Sequence, residues 1–323
     1  MKYLVTGGAG YIGSFMVKRL IDDGHTVIVL DSLERGQESK IPNAVTLFKG
    51  SLLDKDFLSQ LFSEHTFDGV FHFAAYISVP ESAKKPELYF NNNVVSSLNL
   101  INKLVEHNIH CLVFSSTAAV YGTPQIVPIP EDHPKNPESP YGESKLIVEN
   151  MLHWYSKIHS AKFAALRYFN ACGAALDGSM GESHQPETHI IPNAIEAAIN
   201  DEEFVLHGTD YETKDGTCVR DYIHVLDLVE SHVKAMNLLH SGHDSFICNI
   251  GTGSGFTNKE ILTEIEKVSG KKLKVSFTDR RAGDPSILTA DPTIMKNVLG
   301  FEPRYSDIHT IISSAWKWHT NEK

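Results

Sequence analysis

The segment VTGGAGYIG, residues 5 to 13, constrains the fold more than any other stretch of the chain. It follows a β-branched run, KYLVT at 2–6, and leads into an amphipathic run at 12–21. Gly7, Gly10 and Gly13 each have a separate use there. The first permits a tight turn, the second lets the backbone approach a bound group, and the third lets helix pack closely on strand. A helix that starts at such a loop offers free N–H groups and the positive end of its dipole, a combination suited to a pyrophosphate. Glycines alone are loop punctuation. Here strand, glycines and helix stand in dinucleotide-binding order, and a carboxylate, Asp31, closes the second strand-like run about 20 residues on. Asp31 suits a ribose diol and repels a 2′-phosphate, which favours NAD over NADP. Arg35, four residues later, leaves NADP open should the loop fold back.

The first half repeats this alternation. Short apolar runs, TVIVL at 26–30, TLFKG at 46–50, GVFHFA at 69–74, CLVFSS at 111–116 and FAALRYF at 163–169, are separated by amphipathic segments at 56–62, 94–106 and 144–158. Continuous apolar strands between helices predict an α/β fold with a doubly wound parallel sheet, covered on both faces. The 323 residues, 41% of them apolar, are enough for that domain and a second, smaller one. After Asn170 comes ACGAALDGSMGESHQPETH, too long for a tight connection and expected to face a substrate. The expected division is therefore 1–170 as an NAD-binding Rossmann domain and 171–323 as a smaller α/β substrate-binding domain, with FICNIG at 246–251 returning to the sheet.

Charge and cysteine usage narrow the partners. Forty acidic against 29 basic side chains give a formal charge of −11, which argues against nucleic acid or an anionic membrane surface. An anionic ligand must then meet locally placed arginines. The four cysteines, Cys111, Cys172, Cys218 and Cys248, are scattered and predict neither a zinc site nor a disulfide framework. No apolar stretch reaches the roughly 18 residues of a membrane span and no signal-like segment leads the first strand, so the expected compartment is the cytoplasm. The histidine pairs His107/His110 and His240/His243 lack ligand spacing, and no metal is expected.

SPYGESKLIVEN, residues 139 to 150, sets Tyr141 and Lys145 four positions apart where a polar loop turns into an amphipathic run. On a helix that spacing puts phenol and ammonium on one face. A phenol that removes a proton near neutrality needs its pKa lowered by about three units, roughly 4 kcal/mol. Two unit charges about 4 Å apart at an effective dielectric near 20 interact by about that much. The pair is thus sufficient as a general base beside a bound nicotinamide. FSSTAAVYG at 114–122 places Ser115, Ser116 and Thr117 at a strand's carboxyl end, where open α/β sheets bind ligands, and one of the three is expected to relay the proton.

Taken in order, TGGAGYIG, HFAA, NNNV, SSTAAVYG, SPYGESK, LRYFNACG, DGTCVRDYIHV and RRAGDP closely resemble the extended short-chain dehydrogenase/reductase family, specifically its nucleotide-sugar 4-epimerases, over nearly the whole chain. The resemblance implies a tightly held NAD that takes hydride from C4 of a UDP-hexose while Tyr141 takes the hydroxyl proton, Thr117 bridges the two, and the 4-keto sugar turns over before reduction. UDP-glucose and UDP-galactose would interconvert. It further implies cofactor contacts from Gly7, Gly10, Tyr11, Ile12, Gly13, Asp31, Ser51, Leu52, Phe73, Ala74, Ala75, Asn92, Ser115, Tyr168 and the Tyr141/Lys145 pair. Substrate contacts are implied for Thr117, Tyr141, Asn170, His189, Val205, Leu206, His207, Arg220, Arg281 and Asp284, with Asn170 and the two arginines on the diphosphate, Asp284 on the uridine ribose, and Val205 to His207 near the uracil. The segments at 94–106 and 144–158 resemble those that pair in the family's dimer, so a homodimer is expected.

Three departures matter. Ser51 stands where the family often carries an acid contacting adenine, Ile77 where some members have lysine, and Leu288 where a large side chain narrows the sugar pocket. Ala118 and Ala119 follow Thr117 where 4,6-dehydratases place acids, so elimination machinery is lacking. Epimerases of UDP-pentoses, UDP-uronates or UDP-N-acetylhexosamines keep the same core and remain alternatives. A non-catalytic NAD-sensing regulator is disfavoured by the intact Thr117, Tyr141 and Lys145.

Overall fold

The computed structural model describes residues 1–184, 187–280 and 284–321. The chain divides into two compact units, one made of 1–122, 135–167 and 229–248 and the other of 123–134, 168–228 and 249–323. The division therefore interleaves rather than falling at one cut near residue 170. Residues 229–248 return to the first unit, and 123–134 leave it.

The first unit is built on a seven-stranded sheet in the order β11-β6-β5-β4-β1-β2-β3. Its strands are β1 (Lys2–Thr6), β2 (Thr26–Asp31), β3 (Thr46–Lys49), β4 (Gly69–His72), β5 (Cys111–Thr117), β6 (Lys162–Tyr168) and β11 (Phe246–Ile250). The β1/β2, β2/β3, β1/β4 and β4/β5 ladders are all parallel. The segment at 246–251 thus supplies the far edge strand. Strands run outward from β1 through β2 to β3, and the chain then crosses to β4 on the other side of β1. That reversal opens a crevice at the carboxyl ends of β1 and β4, the usual ligand position in such sheets.

Helices α1 (Tyr11–Asp22), α2 (Lys55–Glu64), α5 (Ser96–Glu106) and α6 (Pro140–His159) belong to this unit, as does most of α8 (Val225–His240). Short α3 (Val79–Lys84) and α4 (Pro86–Tyr89) precede a π-helical turn at Phe90–Val95 that runs straight into α5. Side chains at helical spacing, Leu58, Leu61 and Phe62 of α2, Leu100, Ile101 and Leu104 of α5 and Val148 and Leu152 of α6, join Leu4, Ile28, Val70, Leu112 and Phe114 of the strands in one core. Each such side chain contributes about 1.5–3 kcal/mol on burial. Asp54 caps α2 by accepting from the N–H groups of Asp56 and Phe57 at 3.1 and 2.9 Å.

The second unit contains small sheets. β7 (Asn170–Cys172) pairs with β10 (Tyr222–His224), β8 (Glu203–His207) with β13 (Lys274–Thr278), and β9 (Val219–Arg220) lies between β12 (Phe256–Thr257) and β14 (Ile287–Leu288). Helices α7 (Ile190–Asn200), α9 (Asn258–Ser269) and α11 (Ile308–Asn321) close its core through Ile191, Ile195, Ile261, Ile265, Ile311 and Ile312, and a one-turn α10 spans Thr293–Asn297. A capping box, Thr257 with Glu260, starts α9. Buried Asp221 accepts from the N–H groups of Thr252, Gly253 and Ala290 at 2.8, 3.1 and 3.0 Å, which ties two segments to one carboxylate.

Candidate active site

The glycine loop lies at the β1/β4 crevice. Gly7 adopts a φ of +72°, and a Cβ there would stand 2.6 Å from the backbone nitrogen of Ala74, so only glycine lets the two loops meet. A Cβ on Gly13 would sit 2.1 Å from the Gly7 carbonyl oxygen, which fixes the start of α1 against the turn. The Gly10 N-cap supplies no side-chain oxygen to the start of α1, the arrangement found where a helix N-terminus faces an anionic ligand. Asp31 is buried, and its oxygens accept from Ala9 and Leu33 N–H at 2.9 and 2.8 Å. Each oxygen keeps a further lone pair for a diol. Arg35 donates from one guanidinium nitrogen to both Glu81 oxygens at 3.0 and 2.9 Å and stacks 4.9 Å from the Tyr76 ring. It is engaged there rather than folded back toward Asp31.

Ser51 accepts from Leu53 N–H at 3.2 Å, while the Leu52 side chain enters the core and its carbonyl accepts from Asn99 at 3.0 Å. Leu52 therefore offers only backbone toward an adenine. After β4, Phe73 N–H donates to Thr6 at 3.0 Å and its ring packs 4.9 Å from that of His232. His72, buried between the hydroxyls of Thr6 and Ser97, is pushed down to about 3 by burial and by the Lys145 charge, so it stays neutral.

The Tyr141/Lys145 pair occupies the first turns of α6. Ser139 caps that helix by accepting from Gly142 N–H at 3.1 Å, and Pro140 takes a position where no N–H is needed. Gly142 is essential to the approach. A Cβ there would lie 2.5 Å from the Ala119 carbonyl, in the 3₁₀ turn Ala118–Val120 that follows Thr117. The side chains of Tyr141, Lys145, Ser115, Ser116 and Thr117 are all buried. The Thr117 hydroxyl accepts from Ala119 N–H at 3.2 Å and stands near enough to the Tyr141 phenol to lower its pKa. Lys145 donates to the Ser115 carbonyl at 2.7 Å and lies 4.9 Å over the Phe114 ring.

One electrostatic expectation is corrected. Burial raises the Tyr141 phenol above its ordinary value, and the Thr117 hydrogen bond opposes this only in part. Lys145 itself is pushed down to about 7, because burial outweighs the nearby Glu149 carboxylate. Desolvation of both groups, which side-chain spacing does not report, outweighs the ammonium's help to the phenol. The Lys145 ammonium has one hydrogen-bond acceptor among the described residues and is 2% exposed, which leaves N–H donors directed at acceptors such as a ribose diol. Tight glycine cradle, uncapped helix start, paired acid and under-satisfied buried ammonium together fit a bound dinucleotide.

Two supports went unseen in the sequence. Glu149, one turn beyond Lys145, accepts from Ser116 at 2.5 Å and from buried Arg167 at 2.9 and 2.6 Å, and Arg167 donates on to Tyr121 at 2.8 Å. Asn93 in the π turn accepts from Tyr76 N–H at 2.8 Å and donates to the Tyr76 carbonyl and the Ser144 hydroxyl, both at 3.0 Å. It clasps the β4 loop to α6. Asn92, its neighbour, is half-buried and donates to Asn93 at 3.1 Å.

In the second unit, Asn170 donates to the Asp221 carbonyl at 2.8 Å from its side chain. Arg220 is buried, donates to the Val219 carbonyl at 2.7 Å and pairs with Asp284, which also accepts from Tyr211 at 3.4 Å. Residues expected on different parts of a ligand are here paired with each other. In β8 the alternation exposes Val205 and half-buries His207, but sends Leu206 into the core, so the side chain of Leu206 is not a uracil contact. His189 and Glu182 line a pocket with Asn170, Tyr222 and Trp318. Burial opposes both charges, yet mutual attraction wins: the Glu182 carboxyl lies below its ordinary value and the His189 imidazole above it. Tyr168, the last residue of β6, is half-buried. Arg281 lies outside the described residues.

Residues 3–251 match the model of the NAD dependent epimerase/dehydratase family. A UDP-glucose 4-epimerase from Lacticaseibacillus casei is 47% identical over 322 residues, covering 99% of this chain and 97% of its own. The crystal structure of UDP-glucose 4-epimerase from Brucella ovis in complex with NAD superposes with a TM-score of 0.95 at 41% identity, covering 98% of this chain and 97% of that one. The enzyme from Bifidobacterium longum, in complex with NAD+ and UDP, gives 0.92 at 33% identity, with 99% and 98% covered. This chain belongs to the NAD dependent epimerase/dehydratase family, within its UDP-glucose 4-epimerase branch.

Proposed function

We propose that the chain interconverts UDP-glucose and UDP-galactose by NAD-dependent epimerisation at C4. The observation that carries this reading is the joint burial of Thr117, Tyr141 and Lys145, with Gly142 bringing the start of α6 against the turn that follows Thr117. Tyr141 Oη accepts the proton of the sugar C4 hydroxyl and later returns it. Thr117, donating to that oxygen, stabilises the phenolate that must be present before the proton is taken and is restored when the proton is returned. Lys145 holds the nicotinamide ribose and offsets the same negative charge. When bound, NAD supplies the reversible hydride acceptor for C4. Glu149 and Arg167 fix the wall behind Lys145, and Asp31 holds the adenosine ribose. Gly7, Gly10, Tyr11, Ile12, Gly13, Ser51, the Leu52 backbone, Phe73, Ala74, Ala75, Asn92, Ser115 and Tyr168 are assigned to the remaining cofactor surface.

Asn170, Arg220 and Arg281 are assigned to the substrate diphosphate, Asp284 to the uridine ribose, and Val205 and His207 to the uracil. Arginine's bidentate geometry localises a diphosphate on a chain of net charge −11. Ala118 and Ala119 provide no acid or base beside Thr117, which supports epimerisation over dehydration. The purified protein is expected to convert UDP-galactose to UDP-glucose without added coenzyme. Product analysis over a panel of UDP-hexoses, UDP-N-acetylhexosamines, UDP-pentoses and UDP-uronates checks the substrate, and a strict demand for external NADPH overturns the reading.

We further propose a cytoplasmic homodimer formed through α5 and α6. Trp154 and Ile158, one turn apart on α6, are 60% and 68% exposed, and Val95 before α5 is 40% exposed. Tyr155 donates to Asn102 at 2.5 Å and locks the two helices together. Light scattering is expected to give twice the chain mass.

A further inference from the structure

Glu182, His184, Glu187 and His189 bring one ligand atom each to within 4.8 Å of one another, the one such group among the described residues. Their order in the chain, Glu-x-His-x-x-Glu-x-His, matches no helical chelating motif, which is why histidine spacing did not reveal it. We propose that these four side chains form a site for a divalent transition metal of the zinc class, separate from the Thr117/Tyr141/Lys145 chemistry.

The contacts converge on shared atoms. His184 Nδ1 stands 2.7 Å and His189 Nδ1 2.8 Å from the same oxygen, Glu182 Oε1, and His189 Nδ1 is 3.1 Å from Glu187 Oε1. Two carboxylates and two imidazoles around one point are a complete tetrahedral set, and ligand bonds of about 2.0–2.2 Å place tetrahedral donors about 3.3–3.6 Å apart, so the short contacts must open and the widest must close. Two imidazole nitrogens favour zinc, cobalt or nickel over calcium or magnesium, which take oxygen donors. Two glutamates also neutralise a dication, so no net charge is buried although the Glu182 side chain is only 7% exposed.

Outer contacts hold the ligands in place. The Glu182 carbonyl accepts from Trp318 Nε1 at 2.8 Å, and Glu187 Oε1 accepts from the N–H groups of Thr188 and His189 at 2.6 and 2.8 Å. Such contacts orient ligating groups toward a metal. Because His189 lines the pocket that also contains Asn170, occupancy of the site fixes one wall of that pocket. The site is structural, since all four positions are taken by protein and none is open to substrate.

The test uses untagged, full-length protein dialysed against zinc and, separately, cobalt. The expected results are about one tightly held metal per chain by elemental analysis, the intense visible bands of tetrahedral Co(II), and a rise in melting temperature with zinc. The variant His184→Gln/Glu187→Gln is expected to lose the metal, the bands and the zinc-dependent rise while keeping the melting temperature of the metal-free parent. Equal zinc uptake by parent and variant assigns the metal to surface histidines and overturns the site, as does a parent that retains none. The readouts are independent of epimerase turnover, so they fail or succeed apart from the proposed function.

Discussion

The two units carry functional residues in opposite ways. In the first, Thr117, Tyr141 and Lys145 sit on a sheet strand and the first turns of a 20-residue helix, buried and held by the Ser116–Glu149–Arg167–Tyr121 network. In the second, Arg220, Asp284 and His189 sit on two-residue strands and connecting segments, and each is paired with a neighbouring side chain. Proton transfer needs a desolvated group in one fixed position, and rigid elements provide it. Ligand recognition needs charges that exchange one partner for another, and loops provide that at lower cost.

The contrast breaks first at Tyr141. Tyr141→Phe is expected to lower kcat by about 10²–10⁴-fold, the usual contribution of a general base, with KM and bound NAD little changed. Turnover within a few-fold of the parent removes the base assignment. Next is the supporting network. Glu149→Gln leaves the Arg167 guanidinium under-compensated and is expected to cost about 3–5 kcal/mol of stability by urea unfolding. A cost below about 1 kcal/mol would show that the network is not rigidifying the catalytic helix.

Arg220→Met addresses the second unit. Loss of charged hydrogen bonds worth about 1.5–3 kcal/mol is expected to raise KM for the UDP-sugar by about 10- to 150-fold, with kcat changed far less. An effect on kcat alone would erase the distinction between the units. A further test is in pH. Lys145 is lowered to about 7 by burial against an ordinary value of 10.5. Below about pH 7 folded and unfolded chains both hold the proton, and the folded one bears the cost of the buried charge. From there to pH 10.5 only the unfolded chain keeps it, so the stability of cofactor-free protein is expected to rise with pH by up to about 1.4 kcal/mol per unit. Lys145→Met is expected to flatten that rise; parallel curves for the two proteins would refute the shift.

The elements of the first unit were legible because they are local: β-branched runs and helical spacing specify them within a few residues. Motif residues were legible for the same reason, since Gly7, Asp31, Tyr141 and Lys145 stand at fixed offsets from strand and helix ends. The supporting groups were not. Nothing in NNNV marks Asn93 rather than Asn92 as the buried clasp, and Glu149 meets Arg167 across 18 positions. Leu206 and Val205 differ in role only through which side of β8 the core covers, and the short β7, β9, β10, β12 and β14 carry too few residues for any period to register.

The sequence by itself determined a doubly wound sheet with a dinucleotide loop and a tyrosine–lysine helix, because hydrophobic period and glycine placement act over neighbouring residues. Tertiary structure alone decided the interleaved division of the chain, the buried Glu149–Arg167 pair, the raised phenol of Tyr141 and the meeting of Glu182, His184, Glu187 and His189. Each depends on desolvation or on contacts between distant segments, and burial has no magnitude until the chain is packed.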